Sequence, residues 1–180
     1  MAEPLPPFHY HPDPVATGSV ELSERECRAC ARARNFIYVG PVYAEDALTE
    51  TFCPWCIADG RAAELFDAEF GDVGWGVPPG VPATVTDEIA RRTPGFHSWQ
   101  QGQWLYHCGD GCAFLGAVGR AELEDYPDAR ESLRRECEGY GWGQREINAY
   151  VDSLSKEGSP TAYLFRCLVC GTHLAYSDSD

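Results

Sequence analysis

Apolar positions recur along the chain with two different periods, and the period decides which element each stretch forms. Ala62, Leu65, Phe66 and Phe70 lie at helical spacing in the run Ile57 to Phe70, which predicts a helix beginning at Cys53-Pro-Trp-Cys56. Behind Pro127, the positions Ala129, Leu133, Cys137 and Tyr140 predict a second helix, and Ile147, Tyr150, Val151 and Leu154 a third. Thr86-Asp-Glu-Ile-Ala-Arg-Arg reads as a short capped helix stopped by Thr93-Pro94-Gly95. Asn35-Phe-Ile-Tyr-Val-Gly-Pro-Val-Tyr instead sets β-formers around Gly40-Pro41, the pattern of two short strands and a turn. Ala162-Tyr-Leu-Phe-Arg and Thr172 to Tyr176 predict two closing strands bent around a Cys-x-x-Cys turn. Gly171 stands where that turn takes positive φ.

Between these elements, Pro4 to Gly18 carries five prolines and little periodicity, so it is expected to lie extended over the body of the protein. Gly71 to Pro82, rich in glycine and proline around Trp75, reads as a boundary loop. The expected architecture is a single α+β domain over residues 1–180. It would be a small zinc-stapled fold with a treble-clef-like N-terminal lobe at 19–70 and a helical plus β-hairpin C-terminal lobe at 84–180.

Composition narrows the function. Hydrophobic residues make up 44% of 180 and charged residues 23%, a balance that supports a packed core. Acidic residues outnumber basic ones by 28 to 14, a formal charge of −14 that repels phosphate backbones and weighs against nucleic-acid binding. Arg25, Arg28, Arg32 and Arg34 interleave with Glu24 and Glu26, the pattern of a mixed solvated face. Met1 to Tyr10 has no secretory pattern, and no apolar run reaches membrane length, so the expectation is a cytoplasmic protein with reduced thiols and no membrane partner.

Six of the nine cysteines form three Cys-x-x-Cys pairs: Cys27/Cys30, Cys53/Cys56 and Cys167/Cys170. Two thiolates separated by two residues can turn their sulfurs toward one point, and two such pairs make the tetrahedral cage that zinc prefers. Cys27, Cys30, Cys53 and Cys56 are therefore expected to form a first zinc site, with Ala31 standing where such turns often carry glycine. Cys167 and Cys170 need two more ligands. Cys108 and Cys112 would supply them from one face of a helix starting near Gly109, with His107 as a substitute for Cys108. That second site requires the Trp104 to Cys112 segment to fold back onto the C-terminal strands. Two zinc ions are expected, one at minimum. Cys137 sits on an apolar stripe and reads as a core thiol, and His173 as a strand-surface histidine.

Phe8-His-Tyr-His-Pro-Asp-Pro, Tyr38-Val-Gly-Pro-Val-Tyr-Ala, Cys53-Pro-Trp-Cys-Ile-Ala-Asp-Gly, Arg92-Thr-Pro-Gly-Phe, Trp99-Gln-Gln, His107-Cys-Gly-Asp and Tyr163-Leu-Phe-Arg-Cys-Leu-Val-Cys-Gly together resemble the bacterial CbrC family. The resemblance spans nearly the whole chain. It implies a small bacterial cytoplasmic protein with cysteine-based metal sites and a link to colicin or stress tolerance. It carries over no catalytic residues.

The leading functional reading is a non-catalytic zinc protein, an interaction or regulatory module for a protein partner whose identity the sequence leaves open. Trp99, Gln100, Gln101 and Trp104 are its first candidate surface. Two enzymatic alternatives stand beside it. One is a dithiol oxidoreductase using Cys53 and Cys56, where a helix N-terminus would lower a thiol pKa. The other is a metal-dependent hydrolase with an open site at His107, Cys108 and Asp110.

Overall fold

The computed structural model describes residues 3–74 and 76–180; Trp75, in the expected boundary loop, lies outside the described residues. Helix and sheet are mixed, and the chain divides into two compact units. The first runs to His97 and takes in Gly102–Trp104; the second comprises Ser98–Gln101 and Leu105–Asp180. Residues 84–97, expected in the later lobe, thus belong to the first unit.

In the first unit, β1 (Val20–Leu22) pairs antiparallel with β2 (Phe36–Tyr38). The expected hairpin across Gly40-Pro41 does not form among the described residues: Tyr43 bridges to Glu69 instead. The cause is Tyr38, whose hydroxyl donates to the Pro41 carbonyl at 2.6 Å and folds the chain back on itself. Pro41 also has no N–H to give a ladder. The helix expected from the second cysteine pair to Phe70 is broken in two, α1 (Pro54–Ala58) and α2 (Arg61–Phe66). Asp59 and Gly60 interrupt it, with Gly60 at φ 79° and the Asp59 carboxylate accepting from the Arg61 amide. α3 (Ala83–Arg92) buries Ile89 and Ala90 and ends before Pro94.

Tyr38, Phe52, Ile57 and Phe70 centre the core of this unit, with Phe52 and Phe70 edge-to-face at 5.9 Å. The proline-rich N-terminal stretch lies against it, burying Phe8, Tyr10 and His11. Gly95 passes so close to the Phe70 carbonyl that an added Cβ would overlap it, while its own amide donates to the Tyr38 hydroxyl at 3.1 Å.

The second unit is built on a four-stranded antiparallel sheet in the order β3-β4-β5-β6. Its strands are β3 (Tyr106–His107), β4 (Asp110–Val118), β5 (Thr161–Cys167) and β6 (His173–Asp178). A bulge at Leu115 shifts the β4–β5 register between Phe114 and Gly116. Three helices follow β4: α4 (Arg120–Leu123), α5 (Pro127–Gly139) and α6 (Gln144–Ser153). Ala129, Leu133 and Cys137 recur every fourth residue on α5, as Ile147 and Val151 do on α6. They bury against Ala162, Leu164 and Ala175 of the sheet. Alternation turns Tyr163, Phe165 and Tyr176 to the opposite face, where the two tyrosine rings stack at 5.0 Å. Cys137 is a core thiol, whereas Tyr140, past the end of α5, is exposed.

Candidate metal centres

All nine cysteines lie among the described residues, and none is in a disulfide. Among those residues, two groups bring four metal-ligating atoms within 4.8 Å of one another: Cys27, Cys30, Cys53 and Cys56 in the first unit, and His107, Cys108, Cys167 and Cys170 in the second.

The first group assembles from two local turns. At Cys27–Cys30 the chain reverses tightly: the Ala31 amide donates to the Cys27 carbonyl at 2.7 Å, and the Cys27 amide to the Arg32 carbonyl at 3.0 Å. Ala31 adopts φ 51°, the left-handed conformation that costs a side-chain-bearing residue about 1 kcal/mol. Cys53 is the N-cap of α1, and Cys56 lies in its first turn, so helix geometry alone points both sulfurs one way. Two backbone bonds join the halves: Arg28 N–H to Thr51 O at 2.8 Å, and Tyr38 N–H to Phe52 O at 2.9 Å. The Cys30 and Cys53 sulfurs stand 4.0 Å apart. A tetrahedral site with zinc–sulfur bonds of about 2.3 Å places its sulfurs about 3.8 Å apart. Cys27, Cys53 and Cys56 are fully buried, and Cys30 partly.

The second group uses the same turn once. The Gly171 amide donates to the Cys167 carbonyl at 3.0 Å and the Cys167 amide to the Thr172 carbonyl at 2.8 Å, repeating the pattern at Cys27 residue for residue, with Gly171 at φ 77° in the place of Ala31. The other half is the β3–β4 hairpin. His107 pairs with Asp110, and the two residues between them, Cys108 at φ 54° and Gly109 at φ 77°, form a two-residue turn with both φ positive. Because β4 lies beside β5, the hairpin tip reaches the Cys167–Cys170 turn, as the long-range return of this segment requires. The His107 Nδ1 is 3.3 Å from both the Cys108 and the Cys170 sulfur.

Cys112 is not in this group. The expected helix from Gly109 is a strand, so positions 108 and 112 do not share a helix face. Cys112 is fully buried in β4, its thiol pushed up to about 12 by burial and by nearby Cys167. His107 joins in its place, keeping Cys108 as a companion rather than replacing it. The hairpin was signalled by Cys108-Gly109, since a glycine-containing pair between short apolar runs favours a two-residue turn. His173 lies in β6, 3.4 Å from Asp128 and outside the group. Asp110, the first residue of β4, accepts from the Gly111 amide at 2.7 Å.

Electrostatics in the first group follow from crowding four thiols. A hydrogen bond from Cys53 holds Cys27 far below the usual thiol range, at about 4, and the same bond pushes Cys53 up. Burial, with the charge on Cys27, pushes Cys56 up to about 12. A bound cation would favour the ionised form of the thiols around it. Arg34 contributes a fixed positive charge. Burial opposes it, but hydrogen bonds to Cys53 and Glu3 outweigh burial and raise its pKa, and its guanidinium lies 4.6 Å over the Trp55 ring. Arg25 pairs with Glu50 and Arg28 with Asp46, so this face is mixed in charge.

The tryptophans of the candidate recognition surface are placed differently. Trp104 is buried, packing on Phe96 at 5.7 Å. Trp99 is half exposed, and its indole N–H donates to the Gly158 carbonyl and the Thr161 hydroxyl, both at 3.0 Å.

Residues 5–179 match the family described as "Uncharacterised protein family (UPF0167)". UPF0167 proteins of Mycobacterium bovis and Mycobacterium tuberculosis are each 55% identical over 174 residues, covering 97% of this chain and 93% of the relative. One from Pseudomonas aeruginosa is 41% identical over 172 residues, covering 95% of both chains. No solved structure matches the chain. Among the described residues, no helix is long and apolar enough to cross a membrane.

Proposed function

The chain belongs to the UPF0167 family, and from that premise we propose that it is a non-catalytic zinc protein with two closed four-ligand sites. Cys27, Cys30, Cys53 and Cys56 hold the first ion; His107, Cys108, Cys167 and Cys170 hold the second. The observation that supports this most is the repeated turn at Cys27 and Cys167, with the same two backbone hydrogen bonds and a left-handed residue at the same place in each. Two stretches distant in sequence converge on one ligand-presenting geometry, and each meets a second pair of ligands. Soft thiolates with at most one imidazole suit zinc. Four protein ligands leave no position for a reacting water, which favours a structural over a hydrolytic role.

In this reading the ions contribute folding free energy, and the stapled surfaces engage a protein partner in the cytoplasm, in line with the acidic charge and the resemblance to the CbrC family. A treble-clef-like first lobe and a link to colicin or stress tolerance belong to the same proposal. Dithiol catalysis at Cys53 and Cys56 is disfavoured, since both thiols are buried among two further cysteines.

Elemental analysis of protein purified without added metal tests the reading. Two zinc equivalents per chain are expected, with only Cys112 and Cys137 unligated. A metal-free protein that cycles a Cys53–Cys56 disulfide at full stability would overturn it.

A further inference from the structure

The two groups differ in one respect that their shared chemistry hides. Cys27, Cys53 and Cys56 of the first are no more than 1% exposed, and Cys30 is partly exposed. In the second, Cys108 and Cys170 are both exposed, His107 is partly so, and only Cys167 is buried. The exposed pair also lies in turns, outside the strands and helices. Cys108 is at the tip of the two-residue β3–β4 turn, and Cys170 is the last residue of the Cys167 turn, followed by Gly171. Neither sulfur is locked by core packing. Their ligand atoms lie within 4.8 Å of each other, with the imidazole of His107 touching both.

We propose that Cys108 and Cys170 form an oxidant-sensitive pair: a peroxide converts them to a disulfide and empties the second site while the first stays loaded. This rests on the zinc reading of that site. The two thiolates surrender two electrons to the peroxide, one S–S bond forms, and the O–O bond breaks. Two solvent protons complete two molecules of water (one of water and one of alcohol for an alkyl peroxide), and the divalent cation departs because two of its four donors are gone. The sulfurs close from within 4.8 Å to about 2 Å, a displacement shared between two turn tips. In the first site only Cys30 is partly exposed, so any disulfide there must include Cys27, Cys53 or Cys56, each no more than 1% exposed, and burial separates the fates of two otherwise similar clusters.

The experiment uses the full-length protein purified with its zinc. Hydrogen peroxide is added in increments, released zinc is followed with a chromogenic chelator, and cysteine connectivity is mapped by peptide mass spectrometry. One zinc equivalent is expected to appear early, together with a Cys108–Cys170 disulfide, and to return on adding dithiothreitol and zinc. A Cys137→Ser variant, altered only at a core thiol, should release the same single equivalent. Parallel release of both equivalents, release of neither, or a first disulfide between Cys112 and Cys167 would each overturn the proposal while leaving two bound zincs intact as a finding. Protein containing no zinc at the start would overturn the zinc reading and this proposal together.

Discussion

Cys112 and Cys167 stand directly opposite each other across β4 and β5, yet only Cys167 belongs to a group that could hold a metal ion. Their amides point away from one another, Cys112 N–H to the Leu105 carbonyl and Cys167 N–H to that of Thr172, so they form a non-hydrogen-bonded pair with closely spaced side chains. Cys167 opens the turn that carries Cys170, whereas Cys112 is held in mid-strand.

Replacing these two neighbours should therefore have opposite consequences for metal. Cys112→Ala is expected to retain both zinc equivalents and to lose about 1 kcal/mol of stability, the cost of a small core deletion. Cys167→Ala should lose one equivalent. Metal content and urea denaturation on both variants check this; loss of zinc from Cys112→Ala would reassign the fourth ligand.

Ala31 occupies the position that Gly171 fills in the second turn, at φ 51° against 77°. Ala31→Gly relieves left-handed strain but adds freedom to the unfolded chain, and the first effect is the larger. Stability should rise by up to about 1 kcal/mol with zinc content unchanged, measured by equilibrium denaturation. A loss of stability would show that the Ala31 methyl packs to advantage.

His11 is fully buried, one ring nitrogen 2.7 Å from the Pro94 carbonyl and the other 2.6 Å from the Thr17 hydroxyl. Burial lowers its pKa from 6.5 to about 4, against the opposing pull of Pro94 and Asp13. The folded state thus holds fewer protons than the unfolded one between those values. Stability is fully present above pH 6.5, declines as pH falls toward 4, and the loss at pH 4.5 is roughly 2–3 kcal/mol. His11→Gln should show a correspondingly smaller drop than wild type between pH 7.5 and 4.5. Equal drops would remove His11 as the source.

Ser132 fastens α5 to β6: its hydroxyl donates to the Ala175 carbonyl and accepts from the Ala175 amide, both at 2.9 Å. Ser132→Ala leaves two backbone groups of the edge strand unpaired and should cost about 1–3 kcal/mol, with faster amide exchange concentrated in β6. Exchange unchanged in β6 would mean that water replaces the hydroxyl at little cost.

Much of the second unit was legible because its signals are local. Four-residue spacing on α5 and α6 specifies which face buries, and Cys-x-x-Cys before glycine specifies a turn. The first cysteine cluster was legible for the same reason, since each of its pairs lies within one turn. What misled was also local: Cys108 and Cys112 fit a helical interval, and Gly40-Pro41 fits a hairpin. Local pattern cannot rank two conformations that both satisfy it.

The sequence by itself determined the three cysteine pairs, the buried faces of α5 and α6 and the closing strands, because those depend on spacing along a few residues. Only the tertiary structure decided that His107 rather than Cys112 joins Cys108 at the second group, that Tyr43 bridges to Glu69, and that the first group is mostly buried while the second is mostly exposed. Each of these depends on which distant backbone lies alongside, and the pairing of β4 with β5 joins residues as far apart in sequence as Cys112 and Cys167.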